Sequence, residues 1–408
     1  MTTTPRLLSD SLARELIERF GSPLYVYDET TLRTRLRELA GLVRHRPFHA
    51  SISVKANGNP HLLAIARQEG LRGDAMSPGE ILLLERAGFS PEQIFFIPNN
   101  VSEDEFRFAH ERGILTSLDS IDQLASWGRL FPGSRVALRV NPGIGDGHHE
   151  KVVTAGSRTK FGILPGELDQ ARRILTESGI KLAGLNQHIG SGFLEPSRYL
   201  QAAAALLSIA EGFPELEFVD FGGGFGIPYH EDSNRLDLSE LGQKLDALLS
   251  DWTSRTGSSI EVGIEPGRYW CAECGILLGT VHAVKPRGEG AIAGTDLGFN
   301  VLQRPAMYDS FHQIDLVAAP DSETRETIPV TWVGNICESG DILGSERLGP
   351  LPRIGDAVRV RDAGAYGWAM SSSYNARPRA AEVLVETDGN FRLIRHRETW
   401  EDLMRRVA

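Results

Sequence analysis

The stretch SISVKANGNPHLLAIARQEGLRGDAMSPGEILLLERAG, residues 51–88, indicates the fold most clearly. It contains two short β-prone runs, SISV (51–54) and GDAM (73–76), and the second is followed by PGEILLLERAG, in which apolar residues have helical spacing. β-Prone runs that alternate with helical segments indicate strand–helix units, whose strands lie parallel in one sheet. The region is therefore predicted to be an α/β fold.

The same alternation continues along the chain to about residue 265. The strand candidates are SISV (51–54), GDAM (73–76), IFFI (94–97), LTSL (115–118), RVALRV (135–140), LAGLNQH (182–188), EFVDF (217–221) and VGIE (262–265). Eight strand–helix units predict a closed (β/α)8 barrel of the TIM type. A doubly wound open sheet is the alternative, because it is built from the same units.

The sequence beyond about residue 275 has a different character. Runs such as TVHAVK, IPVTWVG and DAVRVRDAG are rich in β-branched residues and are separated by Gly, Pro and Asp. They predict a separate, mainly β domain. We expect the barrel to span residues 28–280 and the β domain to span 281–408, with residues 1–27 and their β-prone LYVY run joining the β domain.

Composition and charge exclude several classes of protein. The 408 residues carry 43 Lys and Arg against 54 Asp and Glu, for a net charge of -11, which argues against nucleic acid as a partner. The sequence contains neither an apolar membrane span nor the apolar stretch of a signal peptide, so a cytoplasmic protein without a membrane partner is expected. Cys271 and Cys274 have metal or redox spacing, but a second pair is missing, so no metal site is predicted.

Polar residues follow five of the strand candidates at the point where each strand ends. They are Lys55, Asp74, His188, the run Gly222, Gly223 and Gly224, and the segment that contains Glu265, Gly267 and Arg268. The active site of such a barrel lies at the carboxyl ends of its strands. Any one of these residues alone is weak evidence, but together they predict a site at one rim.

Each residue type in this set suits one task in holding pyridoxal phosphate. A partly desolvated lysine amine, here Lys55, can form a Schiff base with the aldehyde, and Asp74 could orient that amine. Successive glycines let backbone N–H groups approach a phosphate, and Ser191 is a further donor. A carboxylate at Glu265 against the ring nitrogen keeps that nitrogen protonated, which makes the ring a stronger electron sink. His188 could stack its ring on the cofactor.

Three segments of the C-terminal half place reactive side chains next to glycine or proline. Cys337-Glu338-Ser339-Gly340-Asp341 offers a thiol suited to proton donation, and Asp362 to Gly367 includes Tyr366. Arg304-Pro305-Ala306-Met307-Tyr308 places a guanidinium and a phenol one helical turn apart if the segment is helical, which suits a carboxylate. We interpret these segments as parts of the substrate site.

These motifs resemble the fold-type III pyridoxal-phosphate decarboxylases, which combine an alanine racemase-like barrel with a β-sandwich or barrel domain. The resemblance runs from GSPLYVY (21–27) to AEVLV (381–385). Its most specific segments are VKAN (54–57), HIGSG (188–192), EPGR (265–268), RPAMY (304–308), CESGD (337–341) and GAYG (364–367). The activity that it implies is decarboxylation of meso-diaminopimelate to L-lysine and CO2, in the biosynthesis of lysine.

The resemblance also implies a role for each matched residue. Lys55 corresponds to the Schiff-base lysine, His188 to the stacking imidazole, Glu265 to the partner of the ring nitrogen and Cys337 to the proton donor. The implied phosphate ligands are Gly222, Gly223, Gly224, Gly267, Arg268 and Tyr366, and the implied substrate ligands are Arg268, Arg304, Tyr308 and Glu338. We also assign Tyr366 to the substrate site. In the family, the cysteine loop enters the partner's active site, so the resemblance implies a homodimer with shared sites.

Three alternatives to this function stay open at the level of sequence. Relatives that decarboxylate a similar amino-acid moiety in siderophore or antibiotic pathways share these motifs. Two positions also depart from the family pattern: Asn335 stands in place of a Gly-Pro-type lead, and Trp368 in place of a small residue. A non-catalytic pyridoxal-phosphate carrier would not need Cys337, and an amino-acid racemase would favour a cationic residue in place of Glu265.

Overall fold

The computed structural model describes residues 8–144, 160–317, 324–405 and 407. The chain divides into two compact units. The barrel unit comprises residues 35–228 and 234–270, and the β unit comprises 1–34, 229–233 and 271–408. The division falls within the helices Glu29–Ala40 and Arg268–Cys271.

Strands alternate with helices in the barrel unit, whereas the β unit consists mainly of strands. The strands are β1 (Leu24–Asp28), β2 (Phe48–Ser53), β3 (Arg72–Ala75), β4 (Ile94–Phe96), β5 (Leu115–Leu118), β6 (Arg135–Arg139), β7 (Lys181–Asn186), β8 (Phe218–Asp220), β9 (Glu261–Ile264), β10 (Gly275–Arg287), β11 (Gly290–Thr295), β12 (Ile314–Val317), β13 (Thr327–Val333), β14 (Ile342–Pro350), β15 (Ala357–Val360), β16 (Ala381–Val385) and β17 (Phe391–Arg395). The α-helices are α1 (Asp10–Phe20), α2 (Glu29–Ala40), α3 (Pro60–Gln68), α4 (Pro78–Arg86), α5 (Glu103–His110), α6 (Ile121–Leu130), α7 (Leu168–Ser178), α8 (Ser197–Ala210), α9 (Leu238–Thr256), α10 (Arg268–Cys271), α11 (Arg304–Tyr308) and α12 (Trp400–Met404).

Strands β2 to β9 form a closed parallel barrel. Each strand pairs with the next along the chain, and β2 pairs with β9 to close the ring, with Phe48 opposite Val262. The predicted barrel is confirmed, and the open sheet is excluded because an open sheet has two edge strands, whereas each of these eight strands pairs with two neighbours. All eight strand candidates coincide with observed strands to within a few residues.

Local sequence explains where the helices of the barrel unit begin. Ser77, Ser102 and Ser120 are N-cap residues of α4, α5 and α6, and each side chain accepts a hydrogen bond from a backbone N–H in the first turn. These caps satisfy donors that would otherwise have no partner inside the helix.

The β unit is built on a nine-stranded sheet. Strand β1 pairs antiparallel with β10 and parallel with β16, so the LYVY run at the N-terminus belongs to this sheet. Helix α1 covers the sheet, because Ala13 and Leu16 pack against Leu24, Val26 and Val383 in one buried cluster. The β unit therefore joins sequence from both ends of the chain.

Two findings concern the membrane and cysteine expectations. Among the described helices, none has the length and apolar character needed to cross a bilayer. Cys271 and Cys274 are buried and form no disulfide bond, and the Sγ atom of Cys274 lies 3.1 Å from the carbonyl oxygen of Cys271. Within the described residues, no cluster of three or more His, Cys, Asp or Glu side chains is arranged to hold a metal ion.

Candidate active site

Lys55 and Asp74 lie at the carboxyl ends of neighbouring strands of the barrel. Lys55 is half-buried in a single 3-10 turn, Val54–Ala56, directly after β2, and Asp74 is fully buried on β3. The Asp74 Oδ2 atom accepts a hydrogen bond of 2.5 Å from the Ser53 hydroxyl. Burial raises the pKa of Asp74 to about 7, although the Lys55 ammonium and the Ser53 hydroxyl act in the opposite direction.

His188 follows β7 and is held in its neutral form. The backbone N–H of Gly223 donates to its Nδ1 atom at 3.3 Å, so the ring proton of a neutral imidazole must reside on Nε2. Burial lowers the pKa of His188 well below its usual value, and the positive charges of Lys55 and Arg139 lower it further. The structure thus presents an uncharged, fixed imidazole ring.

The glycine run after β8 packs against backbone on both sides. Gly222 and Gly224 have φ values of +72° and +111°, which residues with a side chain rarely adopt. A Cβ atom on Gly223 would lie 2.0 Å from the carbonyl oxygen of Glu265. The amide of Gly222 donates to Asp220 Oδ1 at 2.7 Å and that of Gly223 to His188, so the two amides hold the loop itself.

Ser191 and Arg268 meet beside this glycine loop. The Nη2 atom of Arg268 donates to the Ser191 hydroxyl at 3.1 Å, although the two residues are 77 positions apart. The amide of Gly192, next to Ser191, donates to the carbonyl oxygen of Gly224 at 2.8 Å. Gly267 lies buried between Glu265 and Arg268. Hydroxyl and guanidinium donors at one loop are the groups that bind phosphate.

Glu265 closes β9 and has an environment that disfavours its charge. The residue is 4% exposed. Burial raises the pKa of Glu265 well above its usual value, and the carboxylates of Asp220 and Asp74 raise it further, against the opposing charges of Arg139 and Lys55. A donor or a positive charge beside the carboxyl group therefore favours its ionised form.

The residues of this rim fit pyridoxal phosphate. The Asp74 Oδ1 atom is fully buried and, among the described residues, has no hydrogen-bond partner, which suits the nitrogen of Lys55 or its link to an aldehyde. A protonated ring nitrogen would supply the counter-charge that Glu265 lacks. Ser191 and Arg268 offer donors for the phosphate, and His188 offers a flat neutral ring.

In the β unit, Arg304 is held in a fixed orientation. Residues Arg304–Tyr308 form α11, so the helical turn expected for this segment is present. The buried guanidinium lies 2.7 Å from His312 Nε2 and 4.6 Å from the centre of the Tyr229 ring, and it donates to Ser310. Because His312 Nδ1 faces the carbonyl oxygen of Arg361 at 2.8 Å, Nδ1 carries the proton and Nε2 accepts from Arg304. Tyr308 is partly exposed on the same turn.

The cysteine segment of the β unit is an exposed loop that is held in place by one buried residue, Asp341. Asp341 is 4% exposed and accepts hydrogen bonds from the backbone N–H groups of Phe299 and Ile336, at 2.6 and 2.7 Å. Cys337 and Glu338 lie on the surface of this unit. The Tyr374 hydroxyl donates to Glu338 Oε1 at 2.6 Å. The loop therefore displays a thiol and a carboxylate on a fixed backbone.

Tyr366 lies in a turn of the β unit that leaves no space for larger residues. Its own φ is +57°, and a Cβ atom on Gly364 would lie 1.9 Å from the carbonyl oxygen of Cys271. Trp368, two residues on, is clamped by the guanidinium groups of Arg379 and Arg395, at 4.6 and 3.7 Å from its ring. Its Nε1 donates to the carbonyl oxygen of Ala380 at 3.0 Å. The indole thus fixes the turn within the β unit.

Sequence reasoning missed three polar residues that end strands of the barrel. Arg139, Asn186 and Asp220 occupy the last positions of β6, β7 and β8. Arg139 is 5% exposed and the other two strand-end residues are fully buried. A charged or amide side chain that ends an otherwise apolar strand is the signal that would have identified these residues.

Comparison with known proteins identifies the class. The model of the family "pyridoxal-dependent decarboxylase, pyridoxal binding domain" matches residues 30–272. This match covers more than half of the chain, and the chain belongs to that family. The decarboxylase class and the cofactor, pyridoxal phosphate, which were predicted from the sequence, are thereby confirmed.

Within this family, the chain is similar to several diaminopimelate decarboxylases. The chain is 40% identical to a diaminopimelate decarboxylase of Methanothermobacter thermautotrophicus, over 98% of this chain and 94% of the relative. A crystal structure of a diaminopimelate decarboxylase superposes with a TM-score of 0.91 at 33% identity, over 99% of this chain and 98% of that one. The Helicobacter pylori diaminopimelate decarboxylase, in complex with L-lysine, has a TM-score of 0.88 at 28% identity, covering 96% of this chain and 98% of that one.

Proposed function

We propose that this protein decarboxylates meso-diaminopimelate to L-lysine and CO2. The observation that carries the proposal is the 40% identity to a diaminopimelate decarboxylase over 98% of the chain. It is supported by the rim of the barrel unit, where Lys55, His188 and Glu265 follow three strands of one closed barrel. We also infer a cytoplasmic location and a place in lysine biosynthesis.

Different residues bind different parts of the cofactor. Lys55 Nζ would form the covalent link to the aldehyde carbon, and Asp74 would orient that nitrogen. Glu265 would face the ring nitrogen, and the neutral ring of His188 would pack on the cofactor. Ser191, Gly224, Gly267, Arg268 and Tyr366 bind the phosphate, while Gly222 and Gly223 let the loop pack closely enough to form the cradle.

The bound cofactor supplies an electron sink that takes up the electron pair left at the substrate carbon when CO2 departs. The protein increases this capacity at Glu265, whose ionised carboxylate holds a proton on the ring nitrogen. His188 stays neutral and adds no positive charge beside it, because burial keeps the pKa of His188 well below its usual value. Lys55 would hold the aldehyde carbon of the cofactor when no substrate is bound.

The substrate is oriented from its distal end. L-Lysine keeps the L-configured centre of meso-diaminopimelate, so the carboxyl group must leave from the D-configured centre and the L end is distal. Arg304, Arg268, Tyr308 and Glu338 bind that end, the guanidinium groups pairing with its carboxylate and Glu338 with its ammonium group. Binding energy at the distal end then positions the bond to be broken.

Cys337 completes the reaction by donating a proton from Sγ to the carbon that has lost CO2. Its exposure on the surface of the β unit supports a role in the active site of a second subunit, where Glu338 would accompany it. We therefore propose a homodimer in which each site uses the barrel of one subunit and the cysteine loop of the other.

The experiment that tests the function compares CO2 release from a panel of amino acids. The purified chain with pyridoxal phosphate is given meso-diaminopimelate, L-lysine, L-ornithine or L-arginine, with Lys55→Ala as the inactive control. We expect release from meso-diaminopimelate alone, since the other three lack a distal carboxylate. Preferred release from any of the others would overturn the proposal, as would release from a siderophore or antibiotic precursor when meso-diaminopimelate is not consumed.

A further inference from the structure

The carboxylate of Glu265 is contacted by an amide from inside the barrel. Asn186, the last residue of β7, lies with its Nδ2 atom 3.5 Å from Glu265 Oε1. The Ser117 hydroxyl on β5 donates to Asn186 Oδ1 at 2.6 Å. Ser117 and Asn186 are fully buried. A chain of two hydrogen bonds therefore runs from Ser117 through Asn186 to Glu265.

These three residues come from alternate strands, because Ser117 lies on β5, Asn186 on β7 and Glu265 directly after β9. Inward side chains of an eight-stranded barrel form layers from alternate strands, and the layers are ordinarily filled by Val, Ile and Leu. Here polar groups occupy such positions, and burying polar groups costs stability unless each is hydrogen-bonded. Packing alone therefore does not explain why polar residues occupy these positions.

The hydrogen bond from Ser117 determines which atom of the Asn186 amide meets Glu265. With Oδ1 held by the Ser117 hydroxyl, Nδ2 faces the carboxylate and acts as a donor. A flipped amide would place Oδ1 against Glu265, so that two acceptors faced each other. In the orientation observed, the Ser117 hydroxyl donates to Oδ1 and Nδ2 donates to Glu265, a contact that favours the ionised carboxylate.

We propose that Asn186, oriented by Ser117, is a positioning residue that holds the Glu265 carboxylate ionised and aimed at the ring nitrogen of the cofactor. The inference rests on the proposed role of Glu265. A donor to Oε1 offsets the burial and the nearby carboxylates of Asp74 and Asp220, which raise the pKa of Glu265. It also leaves the second oxygen for the ring nitrogen.

The test measures the affinity of the cofactor-free, full-length chain for pyridoxal phosphate and for its deaza analogue, in which a C–H group replaces the ring nitrogen. Asn186→Leu, which removes the donor and keeps the same branching of the side chain, should weaken pyridoxal phosphate binding about 10-fold and leave binding of the analogue unchanged within about twofold. Ser117→Ala, which removes only a hydroxyl, should cause a smaller loss in the same direction. Thr116→Val, a buried change at the adjacent position on β5, is the matched control and should alter neither affinity.

The outcomes separate this inference from the proposed function. Equal losses for both ligands in Asn186→Leu would show a purely structural role. Unchanged affinities would show that the contact between Asn186 and Glu265 does not contribute to cofactor binding. If Asn186→Leu does not fold, the same comparison in Ser117→Ala decides between these results. If the wild-type chain itself bound both ligands equally, the assignment of Glu265 to the ring nitrogen would fail instead.

Discussion

The backbone N–H of Gly223 donates to His188 Nδ1 at 3.3 Å and thereby ties the loop after β8 to the imidazole after β7. The contact determines the tautomer of His188, because Nδ1 must accept. Gly223 also packs against Glu265, since a Cβ atom there would lie 2.0 Å from the Glu265 carbonyl oxygen. One glycine therefore sets the relative position of three strand ends.

Gly223→Ala should destabilise the barrel and weaken cofactor binding together. The added methyl group meets backbone, which does not move aside as a flexible side chain would, so we expect a loss of about 1–3 kcal/mol in the free energy of unfolding. Urea denaturation and a pyridoxal phosphate titration measure the two effects. Gly166→Ala is the control, because a Cβ atom at Gly166 meets nothing within 4 Å. A Gly223→Ala chain with unchanged stability would contradict the close approach.

His49 should make the stability of the barrel depend on pH. Its ring lies 3.2 Å from Glu261 and 3.7 Å from Asp220. Burial favours a neutral ring, but the two carboxylates outweigh it and raise the pKa of His49 above its usual value. Because the pKa of His49 is higher in the folded chain than in the unfolded chain, its protonated ring stabilises the fold. This stabilisation is complete below about pH 6.5 and is lost as the pH rises through the pKa of His49 in the folded chain.

We therefore expect the stability advantage of the wild-type chain over His49→Gln to fall by about 1–2 kcal/mol between pH 6 and pH 9, measured by urea denaturation. The pKa of Glu261 is lowered to about 2, chiefly by its hydrogen bond to His49, and its own contribution is lost only in acid, outside this window. His110→Gln, at a ring that stacks on Phe131, is the control. An advantage that stays constant with pH would contradict the prediction.

Arg304→Lys should impair substrate binding and leave cofactor binding intact. A lysine keeps the positive charge, but it loses the fork that His312 and Ser310 hold in place. We expect KM for meso-diaminopimelate to rise about 10- to 100-fold, the cost of one or two charged hydrogen bonds. Arg325→Lys, at a guanidinium paired with Asp356 in the same unit, is the control. An unchanged KM would remove Arg304 from the substrate site.

Active sites shared between subunits should allow two inactive variants to restore each other. Lys55→Ala lacks the barrel lysine and Cys337→Ala lacks the loop thiol. In a mixed population, half of the dimers are heterodimers, and each heterodimer has one site with both residues intact. Activity should recover to about a quarter of the wild-type value on mixing and re-equilibration. Recovery would not occur if each chain supplied both residues to its own site.

Much of the barrel could be predicted because its strands are short, apolar and separated by amphipathic helices. A strand end in a parallel barrel always points to the same rim, so Lys55, His188 and Glu265 could be grouped without knowing the register. The pairing of β1 with β16 is harder to predict, because it joins residues more than 350 positions apart. No local pattern in LYVY states which of two sheets it joins.

The contacts of the polar residues inside the barrel could not be predicted in the same way. Ser117, Asn186 and Asp220 lie on different strands, and which of them meet depends on the stagger of the closed sheet. The hydrogen bonds from the Gly222 and Gly223 amides to Asp220 and His188 likewise depend on the backbone conformation of the loop. Sequence identifies which chemical groups reach the rim, whereas the structure shows which of them are already paired.

The proposed reaction can be followed with meso-diaminopimelate labelled with carbon-13 in only one of its two carboxyl groups. With the label at the D-configured centre, we expect labelled CO2 and one equivalent of unlabelled L-lysine. With the label at the L-configured centre, we expect unlabelled CO2 and labelled L-lysine. D-Lysine as the product, labelled CO2 from the L-configured centre, or no CO2 from the chain loaded with pyridoxal phosphate would contradict the proposed function.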